Sequence, residues 1–457
     1  LEFRRVLFRS VKFMSDSKII FCGNSKDFLA EELTKASNAE NGGTAFRIPS
    51  LVNADGTLVA IADKAATGSD WGYIELAVRT SADGGKTWTP IKTIAAPPAR
   101  EINSSVENTK TAFFIDPCAV VAPNGDVVVL ATFFPESKGI HDKKILEPKK
   151  VAYADFNGKN CQLIYDRNGK FYYVLDDGTV IDSAKSKTDY TVKGIGELYK
   201  GSEYVGNIYL NGEMGKSEDE NGKTTFGAPL KAPKRSYVYM LKSSDKGATW
   251  SEPVNITGAV YNFEDGAFFA VAPGAGLAVD NRIIMPIYTL KGTVCIYSDD
   301  NGATWQRNPQ FQYTDNVDEW CAVKAADNKI YAFGRAKKYA ATPVTVSEDN
   351  GLGWYRTKNA KFKAPKCQKS AVAIGDKIYV AHPSGKKREN GIISVGTLTY
   401  NKKGKFKGIV WTKDKDSVKI NNGFFAYSSM AKLGDNKIAV LYEDQPSSHI
   451  VFDVINL

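Results

Sequence analysis

Few side-chain types in this sequence could do chemistry. Histidine occurs only at 141, 382 and 449, too few for a multi-histidine metal site or a His-centred triad. The six cysteines, at 22, 118, 161, 295, 321 and 367, form no C-x-x-C pair, and buried free thiols are expected. No metal site is expected. Catalysis must therefore lean on carboxylates, Arg, Tyr or Lys, and those groups are spread over the whole chain, so their positions depend on the elements that carry them.

Those elements announce themselves through a repeat. Ser-x-Asp-x-Gly-x-Thr-Trp recurs at Ser81-Asp83-Gly85-Thr87-Trp88, Ser243-Asp245-Gly247-Thr249-Trp250 and Ser298-Asp300-Gly302-Thr304-Trp305. A fourth copy, Ser347-Asp349-Gly351-Gly353-Trp354, has Gly in the Thr position. The pattern suits a tight turn in which Asp caps backbone N–H groups, Gly takes positive φ and Trp packs under the sheet. These Asp residues are read as turn caps, not catalysts. From Asp245 to Asp300 to Asp349 the spacing fits one four-stranded propeller blade of roughly 40–50 residues. Strand-like runs such as 58–62, 127–130 and 438–442 fill the rest, with one short helical candidate near Phe28–Leu33.

The interval from Asp83 to Asp245 is far longer and contains its own turn signals, Asn168-Gly169, Asp177-Gly178 and Asn221-Gly222. An inserted small β domain over 145–232, leaving one blade and returning to the next, accounts for it. The chain thus reads as all-β: a six-bladed β-propeller with Asp-box repeats, first part 14–144, insert 145–232 and remainder 233–457. Residues 1–13 read as a non-native leader, with Met14 a plausible start and no signal peptide visible.

The chain has 457 residues and a net charge of +9, 60 Lys and Arg against 51 Asp and Glu. Its Lys are scattered, which fits solvated strand edges better than a nucleic-acid surface. A basic surface favours anionic substrates. No window reaches the roughly 18 consecutive apolar residues of a helical membrane span.

Phe46-Arg47-Ile48-Pro49 followed by Asp boxes resembles the bacterial exo-α-sialidases, with similarity over roughly 42–447. Leu198-Tyr199-Lys200-Gly201 and Gly206-Asn207-Ile208-Tyr209 in the insert resemble the clostridial-type secreted members. The resemblance implies a secreted or cell-surface enzyme, monomeric and free of cofactors, acting on sialylated glycans. Sialic acid carries a carboxylate on its anomeric carbon, and a planar anion is matched by Arg forks. By resemblance these are Arg47, Arg335 in Tyr331-Ala332-Phe333-Gly334-Arg335, and Arg388 in Lys387-Arg388-Glu389-Asn390-Gly391.

That same charge repels a carboxylate nucleophile and favours a neutral Tyr activated by a Glu; sialidases are the glycosidases with a Tyr nucleophile. Tyr427 in Gly423-Phe424-Phe425-Ala426-Tyr427-Ser428 resembles the nucleophile, and Glu319 in Asp318-Glu319-Trp320-Cys321 its base. Asp318 is the competing carboxylate. Asp70 in Ser69-Asp70-Trp71-Gly72 resembles the acid/base on a mobile loop, with Asp63 as a competitor more suited to a turn cap. Glu443 resembles a carboxylate that orients the first Arg, and Asp116 in Phe114-Ile115-Asp116-Pro117 a contact to the sugar's hydroxyl or N-acetyl side. Two departures from the family pattern stand out. Trp320 replaces a usually small residue, so the preference for the departing group does not carry over. No Arg follows Asp63-Lys64-Ala65-Ala66, so one accessory sugar contact does not carry over either.

The implied activity is retaining exo-α-sialidase hydrolysis through a tyrosyl-sialyl intermediate. Alternatives are a trans-sialidase, an intramolecular trans-sialidase, or a catalytically silent glycan-binding propeller.

Overall fold

A computed structural model describes residues 17–22, 45–66, 70–98, 111–136, 139, 150–210, 217–218, 224–225, 228–308, 312–313, 317–446 and 449–457. The short helix expected near Phe28–Leu33 and the leader lie outside the described residues.

Six antiparallel sheets form the blades of a β-propeller. Blade I is Ala45–Ala54, Thr57–Ala65, Ile74–Ser81 and Lys92–Ala95. Blade II starts with Phe113–Val121 and Val127–Phe134 and is completed, after a long excursion, by Tyr237–Ser243 and Val254–Asn255. The excursion is a seven-stranded meander, in order from Tyr153–Phe156 to Glu203–Asn207. It therefore leaves and re-enters the same blade, between its second and third strands, and does not pass to the next blade as expected. The Asp-box interval counts residues but carries no strand order, which is why the sequence misplaces the return.

Blade III is built on Arg282–Thr289 and Thr293–Ser298, blade IV on Val317–Lys324, Ile330–Ala336 and Val344–Ser347, and blade V on Ser370–Ile374, Lys377–Ser384, Glu389–Tyr400 and Phe406–Trp411. Blade VI consists of Ser428–Lys432, Lys437–Glu443 and His449–Asn456, and its outer strand is Lys18–Cys22 from near the chain start. That pairing closes the ring and covers an edge that would otherwise be open.

The Asp boxes behave as turn caps. Asp83 accepts from the backbone N–H of Thr87 at 2.9 Å and the Thr87 hydroxyl at 2.6 Å, while Ser81 Oγ accepts from Gly85 N–H at 2.8 Å. Asp245 and Asp300 repeat the pattern. These hydrogen bonds hold the carboxyls of Asp245 and Asp300 down to about 2. In the fourth copy the Gly353 N–H still donates to Asp349, at 2.7 Å. Each box links the third strand of its blade to the fourth.

Around the axis the inner strands are stitched by small polar side chains. Ser50 Oγ donates to Gly274 O and accepts from Ala119 N–H. The hydroxyls of Ser370 and Ser428 lie 2.8 Å apart. Gln368 donates to Pro273 O and Ser428 O and accepts from Ser428 N–H at 3.0 Å. Buried polar groups must be paired, and these pairs lock neighbouring blades in register. All six cysteines are buried and free, as expected.

Candidate active site

Each inner strand starts at one face of the propeller and runs away from it, so strand starts, second-strand ends and the loops joining second to third strands converge there. Arg47, Asp116 and Glu319 lie near inner-strand starts, Tyr427 immediately before one, Arg335 and Glu443 at second-strand ends, and Asp70 and Arg388 between second and third strands. All eight sequence candidates therefore gather at one end of the axis. The insert springs from the same face, because its strands follow Phe134 at a second-strand end.

Local backbone aims three of these side chains. Register shifts fall between Arg47 and Ser50, between Ile115 and Cys118, and between Val317 and Trp320. Each is a bulge at a candidate residue, and bulges re-aim side chains. Ile48 and Asp116 sit at φ 55° and 63°, unusual for residues with a Cβ and for a β-branched residue above all. Each precedes a Pro. The Ile48 N–H freed by the bulge donates to Glu443 Oε1 at 2.8 Å.

At the centre is Tyr427. Its phenol donates to Glu319 Oε1 at 2.7 Å and accepts from Arg335 Nη1 at 2.7 Å. Arg335 Nη1 also donates to Glu319 Oε2, and its Nε lies 3.4 Å from Asp318 Oδ1. Asp318 accepts the Glu319 N–H at 3.0 Å and makes no contact with the phenol, so the competing carboxylate supports Glu319 without replacing it. Burial, with Glu319 second, pushes the Tyr427 phenol well above its usual range, and Arg335 works against that shift.

The guanidinium carbons of Arg47, Arg335 and Arg388 lie 5.8, 5.8 and 5.4 Å from the Tyr427 ring centroid. Arg47 is ion-paired with Asp70, and its Nε is 3.5 Å from Glu443 Oε1. Burial penalises the Arg47 cation, but Glu443 and Asp70 outweigh it and hold the group above its ordinary value. The half-buried Arg388 donates to Lys366 O at 3.3–3.4 Å. Glu443 is fully buried and its backbone pairs with Ala426 and Tyr427, so one residue fixes both the first Arg and the phenol's strand.

Asp116 is buried and accepts from the Tyr288 hydroxyl at 3.3 Å; burial first, then Glu319 and Asp70, raises its carboxyl well above the usual range. Asp63 is not a turn cap. It lies inside the strand Thr57–Ala65, directly paired with Arg47, 1% exposed, with its carboxyl likewise raised by burial and then by Asp116. The Asp-Lys-Ala-Ala context looked like a strand end, but the strand continues to Ala65. Lys64 pairs with Glu75 at 2.9 Å. Trp320 also departs from expectation: strand alternation turns it away from Glu319 into the core, where its indole donates to Ile287 O at 3.0 Å. It is not at the site.

Tyr288 and Gln368 went unnoticed in the sequence. Tyr288 occupies a second-strand end, as Arg335 does, so a blade-by-blade alignment of strand ends holds the signal. Gln368, which pins Ser428 beside Tyr427, has no sequence signal. A cavity of about 660 Å³ opens at the opposite end of the axis, lined by Leu51, Val120, Ala322, Val372 and Met430 among others. Lys324 and Lys432 also line it, but no Asp or Glu does.

The description of a BNR repeat-like domain matches residues 224–440. The anhydrosialidase of Macrobdella decora is 25% identical over 455 residues, covering 88% of this chain and 58% of the relative, and sialidase B of Streptococcus pneumoniae is 24% identical over 443 residues, covering 88% and 62%. The chain is similar in sequence to these sialidases. It spans less than two thirds of the length of these two curated sialidases. Among solved structures, the Ruminococcus gnavus intramolecular trans-sialidase shares the fold with a TM-score of 0.74 at 24% identity, covering 90% of this chain and 94% of that one. The Streptococcus pneumoniae NanB sialidase does so with 0.74 at 20% identity, covering 90% and 68%.

Proposed function

We propose that this protein is a retaining exo-α-sialidase acting on terminal sialic acids of glycans. The observation that carries the reading is the Tyr427 phenol held between Glu319 and Arg335 with three guanidiniums around its ring. A binding module has no use for a base on a buried phenol, whereas a nucleophile needs one.

In this reading Arg47, Arg335 and Arg388 clamp the substrate carboxylate. Asp70 is ion-paired with Arg47. The incoming carboxylate takes that place, and Asp70, released from the ion pair, takes up a proton from solvent and faces the glycosidic oxygen. Tyr427 passes its proton to Glu319 and attacks the anomeric carbon as Asp70 protonates the departing oxygen. Asp70, now a carboxylate, then takes a proton from the water that attacks the same carbon, and the phenolic oxygen leaves with the proton returned from Glu319. Asp116, with Tyr288, faces the sugar's hydroxyl or N-acetyl side.

An intramolecular trans-sialidase is the second reading, raised by the 25% identity to an anhydrosialidase, and differs only in that a hydroxyl of the sugar itself replaces water. Mass spectrometry of the products from sialyllactose tests both. Free sialic acid is expected; a product lighter by one water supports the second reading, and lactose release by neither route contradicts both.

A further inference from the structure

The acid/base loop lies against the root of the insert. Asp70 and Trp71 occupy the loop between the second and third strands of blade I, whose base is closed by Ala66 N–H donating to Tyr73 O at 2.9 Å. Asp70 points to Arg47 and is 37% exposed. The adjacent Trp71 is partly buried against the cluster that contains Phe113, Phe134 and Tyr427. Gly139 also lies against it: a Cβ there would stand 2.7 Å from Trp71 Cδ2 and 2.9 Å from Cγ, closer than carbon atoms approach. Gly139 follows Phe134 on the way out to the insert. That exit is held near Glu136, whose N–H donates to Tyr209 O at 3.0 Å and whose carbonyl accepts from Lys234 Nζ at 2.6 Å, both partners lying where the chain comes back.

We propose that Trp71, wedged between the central core and the bare backbone of Gly139, is the positioning residue for Asp70, so that the two roots of the insert set the place of the acid. This rests on the sialidase reading of Asp70. Glycine is needed at 139 because any side chain there would push the indole, and with it the neighbouring carboxylate. The insert thereby acquires a part in the reaction without touching substrate.

Leaving-group dependence separates misplacement of the acid from general damage. A sugar alcohol must be protonated to depart, whereas an acidic phenol departs without help, so kcat/KM on sialyllactose depends on Asp70 far more than kcat/KM on a 4-methylumbelliferyl sialoside. Gly139→Val is expected to lower kcat/KM on sialyllactose by about tenfold or more beyond its effect on the aryl sialoside. Trp71→Leu, which leaves Gly139 untouched, is expected to do the same, and serves if Gly139→Val fails to fold. In the double variant Gly139→Val with Trp71→Leu, relief of the clash makes the loss smaller than the product of the two single losses. Equal losses on both substrates, or none, in both folded single variants would overturn the proposal. Wild-type enzyme inactive on both substrates would overturn the sialidase reading beneath it.

Discussion

A phenol that must attack carbon needs a base to take its proton and a cation to hold the oxygen it leaves behind, and Tyr427 has both within 2.7 Å. Glu319→Gln keeps the hydrogen bond but removes the base, and kcat is expected to fall by about 10²–10⁴-fold with the melting temperature near wild type. Steady-state kinetics beside thermal unfolding checks this. Of the residues involved, Arg47 and Tyr427 were legible because Arg-Ile-Pro and Phe-Phe-Ala-Tyr-Ser are distinctive strings. Asp63 was misread, since the same letters fit a strand end or a strand interior, and only pairing with Arg47 distinguishes them. Trp320 was misread for a related reason: adjacent residues on a strand face opposite ways, and a family position does not reveal which way.

At the scale of elements, the Asp boxes and the blade V strands hold the fold while standing apart from the chemistry. Asp245→Ala removes the acceptor for two Thr249 donors on the surface, and a loss of about 1 kcal/mol is expected with kcat unchanged, read by denaturant titration and assay. His382 is a sharper test. It is buried between Phe362, stacked at 4.5 Å, and Ser394, and burial depresses its pKa to about 3. The unfolded chain therefore binds a proton that the folded one refuses between pH 6.5 and about 3, and stability falls as pH drops through that window. His382→Gln is expected to flatten that part of the stability profile, and an unchanged acid slope would count against it. Sequence periodicity showed the strands and turns, but the three bulges that aim Arg47, Asp116 and Glu319 were hidden. A bulge is one extra residue in a pairing, and pairing is a relation between segments that neither segment displays alone.

For the whole molecule, the propeller brings eight residues from five blades to one end of its axis, and no stretch of chain shorter than the ring could do so. The four copies of the repeat made the propeller legible, whereas the insert's return to its own blade was not, because blade length and strand order are independent. A net charge of +9 and a site ringed by Arg should draw in anionic sialosides over distance. Raising ionic strength is expected to lower kcat/KM several-fold while kcat changes little. A salt-independent kcat/KM would show that capture is local to the site. The most direct test of the central claim is release of fluorophore from a fluorogenic sialic acid ketoside by the wild-type protein beside folded Tyr427→Phe. The account requires release by the wild type and its loss, by about a thousandfold or more, when the phenol oxygen is gone. Equal release by both proteins would contradict Tyr427 as the nucleophile.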